Sequence, residues 1–224
     1  MVDSDTPLKT RLQTRLKAVE TADSAQALLD AVEALADLED EGAIDTLIRV
    51  LGYNNPGAAV AAVDGLIQLG TPAASALLTQ IDGYNYGARA WALRVLAGIG
   101  DPRGLDLILE TAAEDFSLSV RRAAARGLGA IQWEKLADQE RQAAQIQARD
   151  TLLTVAEHDP EWVVRYGAVV GLQGVGTAAV TYSVDLADLI EAGLRDRLTH
   201  DDTLAVQARA KWALSQLAAL TAAK

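Results

Sequence analysis

Arginines and aromatic residues occur at helical spacing in a chain that is otherwise acidic. "GYNYGARAWAL" (residues 83–93) places Tyr84, Tyr86 and Trp91 beside Arg89, with Arg94 next in the chain. "SVRRAAARGLGAIQ" adds Arg122 and Arg126, one helical turn apart, and "VVRYGAVVGLQGVG" adds Tyr166. Guanidinium forks pair with carboxylates through two parallel hydrogen bonds, and aromatic edges stack on flat conjugated rings, so this set suits a flat, anionic ligand. Asp64 stands in the same register.

These residues gain meaning from the repeats that carry them. "PGAAVAAVDGLIQLG" matches "YGARAWALRVLAGIG" at an offset of 30, the Arg122 segment follows 32 later, the Tyr166 segment 44 later, and "AVQARAKWALSQLAAL" closes the series. Each copy has small or aliphatic residues at three-and-four spacing, the mark of one buried helical face. A second apolar helix precedes each: "AIDTLIRVLG", "PAASALLTQI", "PRGLDLILETA", "ARDTLLTVAE" and "DLADLIEAGL". The N-terminal segments "LKTRLQTRLKAV" and "SAQALLDAVEALADL" add one more pair. Five to six helix pairs of this period predict an all-α solenoid, read as a single domain over residues 1–224.

Boundaries are marked locally. Thr71-Pro72, Asp101-Pro102 and Asp159-Pro160 each pair a capping oxygen with a residue that has no N–H, and Gly70 and Gly100 stand where helices should stop. Only "WEKLADQERQAAQIQAR" (residues 133–149) breaks the period, which predicts a longer, partly exposed helix or an insertion.

Composition narrows the function. Twenty basic against 31 acidic residues give a net charge of -11, which disfavours nucleic acid as a partner. The chain has no cysteine, and its two histidines, His158 and His200, lack a metal-ligand partner at helical spacing, so no metal site is expected. No signal-peptide pattern and no run of eighteen apolar residues is present, which predicts a cytoplasmic protein without membrane insertion.

Position within the repeat separates stacking residues from candidate binding residues. Asp115 precedes Arg121 by six, Asp159 precedes Arg165 by six, and Asp201 precedes Gln207 by six. This resembles HEAT repeats, in which a turn aspartate and a second-helix arginine form a ladder between units, so Asp115, Arg121, Asp159 and Arg165 are expected to be structural. By contrast, the rows Asp64, Arg94, Arg126, Val170, Trp212 and Val60, Ala90, Arg122, Tyr166, Ala208 do not repeat. If second helices line the concave side, as in HEAT arrays, these rows form one stripe in a groove; a solvated helix face is the alternative for each arginine taken alone. Trp91 has two readings, core filler and ligand platform. Trp133, Trp162 and Trp212 are read as packing or subunit-contact residues.

"VLGYNNPGAAVAAVDGLIQLG" followed by "IDGYNYGARAWALRVLAGIGDPRGLDLILETAAEDFSLSVRRAAARGLGAIQW" resembles the F-type subunit of the heterodimeric E/F bilin lyases of cyanobacteria, in particular those that act on the phycocyanin alpha subunit. The resemblance covers residues 41–133 most specifically. It implies a HEAT solenoid working with an E-type partner, attaching phycocyanobilin to a cysteine of the phycocyanin alpha subunit, and retaining no covalently bound cofactor. The acceptor thiol would add to the ring-A ethylidene group, and the lyase would hold the bilin without supplying a nucleophile; no residue is assigned to catalysis. Asp64, Tyr84, Tyr86, Trp91, Arg94, Arg122, Arg126 and Tyr166 are the bilin-binding candidates. Isomerising relatives carry a Cys-His motif in the F-type chain, and its absence here predicts attachment without isomerisation. The alternatives are a non-enzymatic relative that helps dismantle phycobilisomes and a scaffold whose groove holds a peptide.

Overall fold

A computed structural model describes residues 6–80, 86–182 and 184–222. Twelve α-helices occur among them: α1 (Thr6–Thr21), α2 (Ala25–Ala36), α3 (Ile44–Val50), α4 (Pro56–Leu69), α5 (Thr71–Gln80), α6 (Tyr86–Ile99), α7 (Leu105–Glu114), α8 (Leu118–Leu128), α9 (Asp138–His158), α10 (Trp162–Tyr182), α11 (Val184–His200) and α12 (Leu204–Ala222). They form the six predicted pairs and divide into two compact units, residues 1–99 and 100–224.

In the first unit α2, α4 and α6 pack side by side, with α3 and α5 behind α4 and α6. Val32, Leu35, Leu47, Ala62, Leu66, Leu77, Ala92 and Leu96 are fully or almost fully buried between the layers. Asn55 caps α4 through Ala58 N–H at 3.1 Å, while its own amide donates to the Ala25 carbonyl at 2.9 Å, tying two successive units at their entry turns. Gly70 and Gly100 follow α4 and α6 with φ of 66° and 67°, the conformation that stops a helix.

In the second unit α8, α10 and α12 form one layer and α7, α9 and α11 the other. The aperiodic segment resolves into a short 3-10 turn, Trp133–Lys135, and a 21-residue α9. Arg141 secures that junction by donating to the carbonyls of Trp133 and Leu136, both at 2.9 Å. The segment Trp162–Val180 of α10 is apolar and long enough to cross a bilayer, yet it packs among α8, α9, α11 and α12 as the unit's central helix.

The α8–α10 crossing depends on missing side chains. A Cβ at Gly171 would lie 2.2 Å from the Ala125 carbonyl oxygen, and one at Gly174 would lie 2.2 Å from that of Gly129. Backbone meets backbone there, so a methyl group can be accommodated only by prising the helices apart. Gly171→Ala should therefore destabilise the protein by about 1–3 kcal/mol despite alanine's better helix propensity. A urea midpoint at or above wild type would contradict that packing.

Candidate functional site

The turn aspartates and second-helix arginines form a continuous ladder in the second unit. Arg121 on α8 donates from Nε and Nη2 to the two Asp159 oxygens, at 2.7 and 3.1 Å, and from Nη1 to the Asp115 carbonyl at 2.8 Å. Arg165 on α10 repeats the arrangement with Asp201, at 2.9 and 3.1 Å, and with the Asp159 carbonyl at 3.0 Å; it also pairs with Asp202. Gln207 on α12 keeps only the backward bond, donating to the Asp201 carbonyl at 2.6 Å. Each aspartate also orders its own turn: Asp115, Asp159 and Asp201 accept from the N–H groups of Ser117, Glu161 and Thr203. Hydrogen bonding to the aspartates raises the Arg121 and Arg165 guanidinium pKa values. Burial opposes ionisation of Asp201, but Arg165, then the Thr203 N–H, outweigh it and leave that carboxyl below its usual value.

Beyond the ladder, Arg122 and Arg126 project from the exposed side of α8 and meet Tyr166 of α10. Together with Trp162, Val163 and Ala205 they line a hollow of about 290 Å³ across the layer of second helices. No carboxylate among the described residues forms an ion pair with either arginine. Two cations next to a half-buried phenol and an exposed indole, in an acidic protein, give this hollow the charge and the aromatic wall that suit a flat anion.

A larger hollow, about 630 Å³, opens between the α7–α8 turn and α9. Its arginine, Arg121, already clamps Asp159, and Asp115, Asp150 and Glu114 share the wall, so it is poorly suited to an anion despite its size.

The first unit holds the remaining candidates. Asp64 is exposed on α4, in a groove shared with Glu33 and Asp37 of the α2 segment, so its surroundings are acidic. Arg94 lies over the Trp91 ring at 4.4 Å from its centre. Trp91 is half-buried and faces Tyr53, Asn54 and Asn55 across a second hollow of about 290 Å³. Tyr84 lies outside the described residues, and Tyr86 begins α6 with its side chain also outside them. The candidates are thus divided between the units: Asp64, Trp91 and Arg94 in one, Arg122, Arg126 and Tyr166 in the other.

Two participants were not anticipated. Trp162, read as a packing residue, is 45% exposed and forms part of the arginine hollow. Arg209 on α12 lies over Trp212 at 4.6 Å and donates to Gln173 at 2.6 Å. A signal for Arg209 existed in the repeats: the row Ala61, Trp91, Ala123, Gly167, Arg209 is small except at the two positions that form cation–π pairs. Trp133, by contrast, is buried and fills core.

Residues 77–173 match the model of the HEAT repeats family. A phycobilisome maturation protein of Synechococcus elongatus is 53% identical over 205 residues, covering 91% of this chain and 97% of that protein. The phycocyanin alpha phycocyanobilin lyase CpcF of Synechocystis sp. is 56% identical over 177 residues, 79% of this chain and 82% of the relative. Among solved structures, the complex of CpcE and CpcF of phycocyanin lyase from Nostoc sp. PCC7120 contains a chain that superposes with a TM-score of 0.70 at 50% identity, spanning 78% of this chain and 99% of that one.

Proposed function

The chain belongs to the CpcF family of phycocyanobilin lyase subunits, and from that premise we propose that it works with a CpcE-type partner to attach phycocyanobilin to a cysteine of the phycocyanin alpha subunit. The identity of these relatives over nearly the whole chain favours this reading over a dismantling factor or a peptide scaffold. Phycocyanobilin is then a substrate, which this chain does not retain covalently: it has no cysteine to carry the thioether. The reading as a protein without membrane insertion is supported by the packing of its one apolar helix of spanning length among the described residues, Trp162–Val180, within the second unit; a cytoplasmic location is part of the same proposal.

One observation carries the assignment of the bilin site. Arg122 and Arg126 line a partly aromatic hollow and have no carboxylate partner among the described residues. A propionate of the bilin would complete their forks, Trp162 and Tyr166 would border the conjugated plane, and the acceptor thiol would approach the exposed ring-A end. Holding one conformer in this way raises the effective concentration of the productive geometry without a protein nucleophile. The Tyr53, Trp91 and Arg94 patch of the first unit is a second aromatic and cationic surface of the same chemical type; Tyr84, Tyr86 and Asp64 are candidates from the sequence alone.

Reconstitution tests the proposal. The chain, its CpcE-type partner, phycocyanobilin and the phycocyanin alpha subunit should together give an alpha-subunit band with zinc-enhanced fluorescence on a denaturing gel. The product should have the spectrum of attached phycocyanobilin, because a chain without cysteine lacks the motif of the isomerising relatives. A violobilin-type spectrum would refute attachment without isomerisation. The absence of any covalent band from an intact complex would refute the lyase assignment.

A further inference from the structure

Among the described residues, Arg209 is held as a cation without a counter-ion. One of its amino groups, Nη2, donates to the neutral amide oxygen of Gln173 at 2.6 Å, and its plane lies against Trp212. The other, Nη1, is buried and has no hydrogen-bond partner among the described residues. No aspartate or glutamate among those residues forms an ion pair with it. Its electrostatic neighbours are Tyr166 and Arg126, both of which line the arginine hollow. Ala205, one turn before Arg209 on α12, lines that hollow too.

Such an arrangement is costly in the free protein. A buried N–H left unsatisfied loses its bond to water, and a guanidinium next to a second arginine is repelled by it. Burial pushes the Arg209 guanidinium below its usual pKa; Tyr166 acts in the opposite direction and Arg126 in the same one. Elsewhere in the unit the chain does supply aspartates for its partly buried arginines: Arg121 has Asp159, and Arg165 has Asp201 and Asp202. What Arg209 lacks is a carboxylate, and a ligand with two of them would bring one.

We propose that Arg209 is a further binding residue of the hollow, taking one carboxylate of a dicarboxylate open-chain tetrapyrrole whose other carboxylate is held by Arg122 and Arg126. The inference rests on the reading of the hollow as the bilin site and deepens it: the site recognises the spacing of two acid groups. Trp212 sets the plane of the guanidinium and Gln173 fixes one edge, while Nη1, closed off in the unliganded protein and one turn along α12 from the hollow's Ala205, is the donor that an entering carboxylate would uncover and pair.

The test compares phycocyanobilin with its dimethyl ester, which keeps the ring system and removes both charges. Non-covalent binding to the complex with the CpcE-type partner is followed by absorbance titration for wild type, Arg126→Gln, Arg209→Gln and Arg209→Lys. Wild type should prefer the diacid. Arg209→Gln should weaken diacid binding on the order of tenfold while leaving ester binding unchanged, and Arg126→Gln should do the same. Arg209→Lys should fall between, because it keeps the charge and loses the fork; if the glutamine variant fails to fold, the lysine variant decides the comparison. A diacid preference reduced by Arg126→Gln and untouched by the Arg209 variants would overturn the role of Arg209 alone. A preference untouched by every variant would overturn the hollow as the site.

Discussion

Arg165→Ala should destabilise the protein by about 3–5 kcal/mol, seen as a large fall in the urea midpoint and early loss of the second unit. The effect is large because of what remains behind. Asp201 has a side chain only 1% exposed, and its strongest stabilising partner is the two-bond clamp from Arg165. Removing the arginine leaves a carboxylate in a site where water cannot replace it. The same change deletes the bond to the Asp159 carbonyl and the pairing to Asp202, so the α9–α10 and α11–α12 turns both lose their fastening. Adding Asp201→Asn to Arg165→Ala should recover part of the loss, since a neutral amide costs less to bury than an unpaired charge.

The pH dependence follows in sign. Asp201 has a folded pKa below its unfolded value, so its contribution is fully present above the unfolded carboxyl range, near pH 4, and is lost as pH falls through the folded value. The stability gap between wild type and Arg165→Ala should therefore be widest above about pH 4 and narrow in stronger acid. A gap that stays constant from neutral to strongly acidic conditions would mean that the clamp is not the source of the stabilisation.

Arg122→Ala combined with Arg126→Ala should lower the rate of bilin attachment by about 10²-fold while leaving the fold and the CpcE-type complex intact. Two charge-assisted contacts to a propionate, each about 1.5–3 kcal/mol, exceed the roughly 2.7 kcal/mol that such a factor requires. Both side chains are exposed and lack carboxylate partners among the described residues, so their removal should change stability by no more than about 0.5 kcal/mol. This contrast with Arg165 is the informative part: arginines of the same two helices divide into two that clamp the ladder, Arg121 and Arg165, and two that face the hollow, Arg122 and Arg126. Single-turnover attachment, with the urea midpoint measured in parallel, checks both halves. Unaltered attachment by the double variant would move the bilin site elsewhere, and the Trp91 and Arg94 patch would be the next to test.

The ladder was legible because its signal is a recurrence. The six-residue interval from Asp115 to Arg121 and from Asp159 to Arg165 appears again from Asp201 to Gln207, and the turn geometry follows from it. The pairs and the glycine stops at Gly70 and Gly100 were equally legible; of the three cap-proline pairs, Asp101 caps the 3-10 turn before α7, Asp159 orders the turn ahead of α10, and α5 already begins at Thr71. What each arginine finds opposite itself was not. Asp64 was expected among arginines, but its nearest groove brings Glu33 and Asp37, residues of another helix pair with no fixed interval to it. Arg209 was missed for a related reason: its unsatisfied nitrogen depends on Gln173 and Trp212 lying where they do, and no periodicity in one strand of sequence encodes that. Trp162 looked like packing because large aromatics usually are, and its exposure beside residues of α8 and α12 is set by neighbours that no interval in the sequence fixes.

The glycine crossing of α8 and α10 has a consequence for evolution of the proposed bilin site. Gly167, on the same helix, would place a Cβ 3.0 Å from Cγ of Arg122, so the gap between that arginine and Tyr166 is set by how closely two backbones approach. The crossing works like the jaw setting of a calliper. One methyl group at Gly171 or Gly174 would open the jaws without altering any residue that lines them. A lineage could thus adjust the width of the chromophore it accepts by mutations invisible to a comparison of binding residues, paying in stability for each step.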